Sequence, residues 1–571
     1  MPAASLTAVT LALKPFPAVS ALEHVVSSIS YFLDNSVMIP LAQACSFGST
    51  RLLDQQSSRS EANIGTTWSL CQYLRSDVHY YRFQFTKSLR AAVELGDLEI
   101  VQWVLKHFSG CTAEENVVEE AARCGRLDIL EYLLEYGRCY GDDQNVILWG
   151  GDDMANAIQE GHGEVAQWLY ENIPDARRNL EYVMEFAVRH GDISLIQWLL
   201  DVVYMSELLL APPSMSDAAA GGHMEILQWI FEQDFGGCCD YALERAAKNG
   251  RLDMVEWLVE NGITKGAREA VQAACSEGHL RIVQWLLERG GVSYPHFAMN
   301  CAIHGGHLDI VKYLSEAGIT YGSSRMMFDA ASYGHMEVIE WLVEKYDTGL
   351  FPTIDSSRVV RSNQSAMDRA ASNGHLHVLE FLHSLAMEMQ HQGKSGGPTC
   401  SNWALMSASS NGHFDVVKWL CNTYPQMTFP STTTGMVARN GNLEMLQWLH
   451  HQESIEWSTD AMDSAAENGH MAVVKWLHQN RMEGCTTSAM NYAARNGHLN
   501  IVRWLHLNFS EGCTVDAMDF AVNREHFEVL LFLRAKRTEG CSTSAKVFAR
   551  GHQQRHVMEW LEDQYPETDA K

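Results

Sequence analysis

Apolar residues recur along the chain at helical spacing, in short blocks separated by polar turns. In the segment 488–495, small and apolar residues fall at i, i+1, i+4 and i+5, which predicts one buried face of a first helix. Asn496 and Gly497 then end that helix, because glycine accepts the positive φ of a helix C-terminus. The segment 499–506 carries a wider apolar stripe and predicts a second helix.

This helix-turn-helix pattern occurs sixteen times, most often with a spacing of 28 residues. Glycine marks the turn at Gly96, Gly125, Gly161, Gly191, Gly222, Gly250, Gly278, Gly306, Gly334, Gly374, Gly412, Gly441, Gly469 and Gly497, and two later copies carry Glu525 and Gln553 there. An aromatic residue follows seven positions after each mark, and twelve of the sixteen tryptophans occupy this column. Such a period predicts repeats that bury their apolar faces only by stacking on one another.

The run from Ala493 to Leu505, AARNGHLNIVRWL, resembles the A-A-x-x-G-H-L-x-x-V-x-x-L-L run of the ankyrin repeat. The resemblance implies an all-α, ankyrin-like solenoid of about sixteen helix-turn-helix units. The period is shorter than the roughly 33 residues usual in that family, which implies shortened inter-unit turns. Residues 488–491 also replace the Thr-Pro-Leu-His start of the family. The short, tryptophan-rich unit is similar to the ankyrin arrays abundant in oomycetes, amoebae and giant viruses.

The repeat pattern divides the chain into three predicted segments. Residues 1–87 form an N-terminal helical cap segment, residues 88–562 form the repeat array, and residues 563–571 form a polar tail. Terminal repeats need an outer face of their own, which fits a capping role for the first segment.

Three insertions interrupt the period, and each lies between the second helix of one repeat and the first helix of the next. They span residues 138–152, 346–363 and 387–402. Two interpretations stay open: tolerated surface loops, or loops of which at least one contacts a partner.

Charge and composition narrow the classes of partner and compartment. The chain has 42 basic and 70 acidic residues, a formal net charge of -28, which disfavours nucleic acid and membrane surfaces. No stretch approaches the roughly 18 apolar residues of a membrane span. An apolar run at residues 6–13 lacks a preceding basic residue, which favours the cytoplasm over secretion as an effector. The fourteen cysteines are therefore interpreted as reduced thiols.

Two repeated residue types invite a chemical interpretation. Gly-His occurs nine times in phase, but stacked helices are about 8–10 Å apart and keep equivalent histidines from converging on one metal ion. The aromatic column could stack bases or sugars, yet its place in the apolar stripe favours the core. We see no phosphate loop, nucleophile elbow or paired carboxylates. We therefore predict no catalytic residues, no metal and no cofactor.

The resemblance also points to a binding face, because ankyrin targets usually contact the concave face. The two residues before each glycine belong to that face by resemblance. The candidate partner-binding residues are Arg189, His190, Lys248, Asn249, Ser276, Glu277, Arg439, Asn440, Glu467, Asn468, Arg495 and Asn496. Their variation on a constant scaffold suits recognition, although solvated polar residues give the same pattern.

Three function hypotheses follow. The first is a non-catalytic, monomeric protein–protein interaction scaffold that holds an unidentified protein on its concave face and inserted loops. The alternative is a substrate adaptor of a larger complex such as a ubiquitin ligase, which would need a docking helix in residues 1–87 or after Met558. The third is an enzyme with cryptic activity in the N-terminal segment, which the repeat pattern disfavours.

Overall fold

The structure is a computed structural model of the chain. It describes residues 40–54, 77–139, 145–173, 183–206, 212–233, 239–289, 297–319, 322–346, 350–351, 365–393, 397–452, 455–552 and 554–566. The described residues fall into two compact units, each considered by itself below.

The first compact unit joins both ends of the chain, since it takes residues 1–183, 207–210 and 527–571. Its elements are α1 Leu41–Cys45, α2 Val78–Leu95, α3 Leu98–His107, β1 Thr112–Ala113, α4 Glu115–Arg123, α5 Leu127–Cys139, β2 Val146–Ile147, α6 Asp153–Gln159, α7 Gly163–Asn172, α31 Phe527–Lys536, α32 Thr543–Gly551 and α33 Arg555–Gln564.

The second compact unit takes residues 184–206 and 211–526. Its helices are α8 Val183–His190, which begins one residue before the unit, α9 Ile193–Ser206, α10 Met215–Gly221, α11 Met224–Gln233, α12 Ala242–Lys248, α13 Leu252–Glu260, α14 Ala267–Glu277, α15 Leu280–Glu288, α16 Ala298–Gly305, α17 Leu308–Glu316, α18 Ser323–Tyr333, α19 Met336–Lys345, α20 Ala366–Ser372, α21 Leu376–His391, α22 Asn402–Ser410, α23 Phe414–Thr423, α24 Thr433–Arg439, α25 Leu443–His450, α26 Asp460–Glu467, α27 Met471–Asn480, α28 Thr487–Arg495, α29 Leu499–Asn508 and α30 Asp516–Asn523.

From α2 to α33 the helices alternate as first and second helices of sixteen repeats. In the second compact unit each first helix packs on the next, so that α10, α12 and their even-numbered successors form a continuous row up to α30. The prediction of an all-α repeat solenoid is confirmed.

The core of a repeat combines small residues of the first helix with branched residues of the second. In the repeat of α14 and α15, Ala270 and Ala274 are buried together with Ile282, Val283 and Leu286. The alanines let the two helices approach closely, and the larger side chains fill the space between repeats.

The aromatic column lies at the edge of this core and is half-buried in most repeats. Only Phe532 and Trp560 of the column are buried in the described residues. The prediction that the column lies in the core is therefore wrong for the other copies. In α15, Trp285 is about 100° around the helix from the centre of the stripe formed by Ile282, Val283 and Leu286, at 100° per residue.

In several repeats the histidine after the glycine contacts the backbone of the preceding repeat. The Nε2 atom of His307 is 3.0 Å from the carbonyl oxygen of Ser276, and that of His279 is 3.1 Å from the carbonyl oxygen of Lys248. The carbonyl accepts, so Nε2 carries the proton. The ring lies over Gly278, whose φ is 85°, and glycine is needed there for both its φ and its missing side chain.

Side chains of the first helices also cap the first helix of the next repeat. Asp368 Oδ1 accepts from the backbone N–H of Ser401 at 2.8 Å, and Asp463 Oδ1 accepts in the same way from Thr486 at 2.8 Å. These bonds link successive repeats in a chain that lacks the Thr-Pro-Leu-His start.

The first insertion returns to an earlier turn through two short strands. β2 pairs in parallel with β1, so Thr112 lies opposite Val146. Asn145 fixes this pairing, because its Oδ1 accepts from the N–H of Cys111 at 3.0 Å and its Nδ2 donates to the carbonyl of Phe108 at 2.8 Å. Most of the second insertion lies outside the described residues. The third partly lengthens α21.

Helices from the two ends of the chain pack together in the first compact unit. α33 lies against α2, and Phe527 of α31 inserts between them. Its ring is fully buried, with centroids 5.6 Å from Tyr80, 5.2 Å from Phe83 and 5.6 Å from Trp560, all edge to face. Edge-to-face rings at these distances attract one another beyond their burial.

Polar side chains form hydrogen bonds at the contact of α2 with α31 and α33. Trp560 Nε1 donates to Asp77 Oδ2 at 3.0 Å, and Gln84 Nε2 donates to Glu528 Oε1 at 2.8 Å. Burial raises the pKa of the Glu528 carboxyl. His79 Nε2 lies 2.7 Å from Asp563 Oδ2. The predicted division of the chain at residues 87 and 562 stays a prediction; α2 and α33 each run across one of these positions.

Asp153, at the start of α6, provides a test of burial in the first compact unit. The side chain is inaccessible to solvent, its Oδ1 has no hydrogen-bond partner in the described structure, and burial raises its pKa to about 7. The pKa of the folded state exceeds the unfolded value of about 4. The contribution of the protonated Asp153 carboxyl to the free energy of unfolding is therefore fully present below pH 4 and is lost as pH rises to about 7. We expect Asp153→Asn to gain about 2 kcal/mol more relative to the parent at pH 8 than at pH 5.

Urea melts at both pH values measure this difference, and Asp128→Asn is the control because Asp128 of α5 is exposed. An equal effect of Asp153→Asn at pH 5 and pH 8 would show that Asp153 is not buried as described.

Candidate interaction surface

The predicted partner-binding residues lie at the C-terminal ends of first helices in the second compact unit. We call the solvent-exposed side of these helices, α8 to α30 in even numbers, the first-helix face. Exposed on it are His190, Lys248, Asn249, Ser276, Glu277, Arg439, Asn440, Asn468 and Asn496, whereas Arg189, Glu467 and Arg495 are half-buried.

Several predicted residues contribute their backbone to the contacts between repeats. The carbonyl oxygens of Arg189, Lys248, Ser276 and Arg439 each lie 2.9–3.1 Å from the Nε2 atom of a histidine in the next repeat. This contact does not depend on the side chain, so the side chain is free to vary, as the sequence shows.

Asparagine occupies the second position in four of the pairs, and in three of them its amide donates a hydrogen bond to the preceding repeat. Asn249 Nδ2 donates to the carbonyl of Ala220 at 2.8 Å, and Asn496 Nδ2 donates to that of Glu467 at 2.6 Å. Asn440 makes the equivalent bond to Ser410. In Asn468 the amide instead donates to Ser464 in its own helix at 2.9 Å. The first three asparagines therefore hold repeats together, which sequence reasoning did not anticipate.

The charged members of the set differ in whether a carboxylate neutralises them. Arg189 Nη2 is 3.0 Å from Asp217 Oδ1, and Arg439 Nη2 is 3.3 Å from Glu467 Oε2. Arg495 instead lies over the ring of Phe520, with its Cζ atom 5.8 Å from the centroid.

Sequence reasoning missed a group of large side chains in the middle of the first-helix face. We call Arg325, Phe328, Arg369 and Trp403 the aromatic–arginine cluster. Arg369 Cζ is 5.2 Å from the centroid of Phe328 and 5.8 Å from that of Trp403, while Arg325 Cζ is 5.0 Å from Phe328. The contacts cross three repeats, α18, α20 and α22. The available signal was the large residues at first-helix positions where neighbouring repeats carry small ones.

The edge of the cluster is polar. Arg325 Nε is 3.2 Å from Asp329 Oδ2, and His304 Nε2 is 3.8 Å from the same oxygen. The His304 ring also lies 4.6 Å from that of Tyr333, whose side chain is exposed. The cluster thus presents cations and aromatic rings together, the composition that protein–protein contacts favour.

Family models match the sequence across this same region. A model described as ankyrin repeats, three copies, matches residues 215–295, 243–325, 270–356 and 326–430. A second, described as ankyrin repeats, many copies, matches residues 462–506. Residues 215–430 and 462–506 therefore match ankyrin repeats. None of the curated proteins compared with it matches.

Ankyrin repeats indicate a protein–protein interaction scaffold, and the ankyrin family is generally non-enzymatic. The matched residues 215–430 contain the whole aromatic–arginine cluster.

On the opposite side of the matched repeats, second helices α17 and α19 line a shallow cavity. Its volume is about 480 Å³, and Lys312, Glu316, Trp341, Glu344 and Lys345 line it. Lys345 Nζ lies 4.7 Å from the Trp341 ring. Four of the five lining groups are charged, so the cavity resembles a solvated surface more than the mostly apolar pocket of a small-molecule site.

The described residues also offer no strong candidate for a metal site or a nucleophile. No cluster of three or more His, Cys, Asp or Glu side chains in the described ranges could hold a metal ion. Burial raises the pKa of Cys485 to about 12 and that of Cys111 to about 11, so neither thiol ionises near neutral pH. Among the described helices, none has the length and apolarity to cross a membrane.

Proposed function

We propose that the chain is a non-catalytic scaffold that binds a partner protein on its first-helix face. The observation that carries the proposal is the aromatic–arginine cluster, where half-buried Phe328 and Trp403 flank a half-buried Arg369 on the first-helix face. Arginine and aromatic side chains supply most of the energy in protein–protein contacts.

The predicted partner-binding residues extend this surface along the row of first helices. Lys248, Glu277 and Arg439 are exposed there, and none of these three side chains is needed for the carbonyl–histidine contacts between repeats. The remaining parts of the proposal are a monomeric, cytoplasmic protein without a nucleic-acid partner, supported by the formal charge of -28.

The inserted loops are a second proposed contact region. Helix α21 reaches His391 within the third insertion, and Met387 on it is 45% exposed. An exposed methionine on an extended helix adapts its shape to a partner.

A substrate-adaptor role gains no support from the described residues after Met558, and residues 1–39 and 55–76 of the other candidate segment lie outside the described residues. An adaptor needs an end segment that is free to dock other machinery. The residues after Met558 instead continue α33, which packs on α2 and contributes Trp560 to a buried contact.

We expect affinity capture from native lysate to identify the partner and its face. The test variant replaces exposed Lys248, Glu277 and Arg439 by alanine on first helices. The matched control replaces exposed Arg281, Glu340 and Lys475 by alanine on second helices, with the same change in charge. A protein held by the parent and the control but lost by the test variant is the expected result.

Equal retention by both variants would contradict binding on these first-helix residues. Loss by the second-helix variant alone would place the partner on the opposite side. Capture of no protein by the parent would contradict the scaffold function itself.

A further inference from the structure

Arg369 has an incomplete set of partners within the aromatic–arginine cluster. No carboxylate of the described residues forms an ion pair with it, and its buried Nε has no hydrogen-bond partner there. A guanidinium has five N–H donors and no acceptor, so a desolvated donor without an acceptor costs free energy in the unbound protein. An acceptor bound to the rest of the guanidinium would offset part of that cost.

The nearest carboxylates of the cluster are already engaged. Asp368 uses Oδ1 to accept from the N–H of Ser401 at 2.8 Å and Oδ2 to accept from the Ser401 hydroxyl at 3.0 Å. Asp329 pairs with Arg325 at 3.2 Å. Asp368 cannot turn to Arg369 without breaking its contact with the next repeat, and Asp329 cannot do so without breaking its ion pair within α18.

The two rings beside Arg369 shape what can bind it. Phe328 and Trp403 lie within 6 Å of its Cζ atom, the distance at which a guanidinium is attracted to a ring face. An arginine stacked on rings keeps its N–H fork free for the two oxygens of one carboxylate. The exposed parts of the rings offer apolar surface beside that fork.

The chain's net charge does not exclude an anionic occupant at this position. Charges more than about 8 Å away are largely screened at physiological ionic strength, so local groups decide the contact. Close to Arg369 the accessible charge is positive, because Arg325 is exposed and Arg369 half-buried while the carboxylates of Asp329 and Asp368 are buried. The acidic remainder of the surface disfavours other docking positions for an acidic segment.

We propose that Arg369 binds the carboxylate of an Asp or Glu in a short acidic segment of the partner protein. An apolar residue next to that carboxylate packs on Phe328 and Trp403. The proposal rests on the scaffold function above and names the chemistry of its partner.

Selection of a displayed library of random short peptides on the full-length chain tests the proposal. Enriched peptides are synthesised with a fluorescent label, and their Kd is measured by anisotropy for the parent, Arg369→Gln, Arg369→Lys and Arg281→Gln. Arg281 is the matched control, because it is an exposed arginine on the second helix α15, outside the first-helix face. Thermal melts confirm that each variant is folded.

We expect the enriched peptides to carry Asp or Glu beside an aromatic or aliphatic residue. Arg369→Gln should weaken their binding by about tenfold or more, since it removes one partner of a desolvated charge pair. Arg369→Lys should weaken it less, because it keeps the charge but loses the planar fork. Arg281→Gln should change Kd by less than about twofold, because its charge is distant from the cluster and screened. Replacing the peptide's acidic residue by its amide should cause the same loss as Arg369→Gln and add little to it.

Any of the following results would overturn the proposal. Peptides without acidic residues, or a Kd unchanged by Arg369→Gln, would leave the scaffold function standing and remove Arg369 from it. A phosphoserine in place of the peptide's acid that binds about tenfold tighter would assign the site to phosphate. A dimer of the parent that Arg369→Gln dissociates in sedimentation would make a second copy the occupant. If neither peptides nor lysate proteins are retained, the scaffold function fails as well.

Discussion

Replacing Phe527 by alanine is expected to lower the free energy of unfolding of the first compact unit by about 3–5 kcal/mol. The ring is fully buried and contacts three other aromatic rings, so its removal leaves a cavity that rigid neighbours cannot fill. Urea melts followed by tryptophan fluorescence measure the loss, since Trp560 lies 5.6 Å from the missing ring.

Hydrogen exchange gives the sharper readout, because it resolves helices. The contact of Phe527 with Tyr80 and Phe83 predicts faster exchange in α2 as well as in α31. Phe47→Ala is the control, since Phe47 belongs to the same compact unit but is 57% exposed. Loss of protection in α31 with none in α2 would mean that the two ends of the chain do not pack as described.

Gly278→Ala is expected to destabilise the second compact unit by about 2–4 kcal/mol, the sum of backbone strain and overpacking. Its φ of 85° disfavours any L-residue with a side chain. An added Cβ would also lie 2.5 Å from Cε1 of His307 and would displace the ring from the carbonyl of Ser276. Both effects act at the joint between two repeats.

Gly262 separates the two contributions to this loss. Its φ is 79°, but an added Cβ would meet no atom within 4 Å, so Gly262→Ala should cost only about 1 kcal/mol. Adding His307→Ala to Gly278→Ala should remove the clash and leave the backbone strain. Equal melts for Gly262→Ala and Gly278→Ala would show that the histidine does not hold the joint.

Sequence patterns predicted the repeat well because its determinants are local. The turn glycine, the alanine pair and the Ile–Val–Leu stripe of each repeat lie within one period, so helices and their order follow from spacing. Even the decayed copy at Glu525 keeps the left-handed turn, with a φ of 59°. The same spacing misplaced the aromatic column, since a periodic pattern identifies an apolar stripe without showing how far its edge is covered.

Contacts between distant residues could not be predicted in this way. Arg369 contacts Phe328 and Trp403 in the two neighbouring repeats. The three residues occupy different positions in their helices, so an alignment of equivalent positions does not bring them together. The resemblance to the ankyrin family assigns Asn249 and Asn496 to the binding face, but their amides join adjacent repeats. The packing of Phe527 on α2 joins residues that no local pattern connects.

The meeting of the two chain ends has a consequence for synthesis on the ribosome. Gln84 and its partner Glu528 are 444 positions apart, which takes about 20–90 s to translate at roughly 5–20 residues per second. During that time α2 has left the ribosome while Phe527 and Trp560 have not yet been made. The apolar side of α2, including Tyr80 and Phe83, therefore remains uncovered until the last repeats emerge, and this interval is when a chaperone would protect the nascent chain.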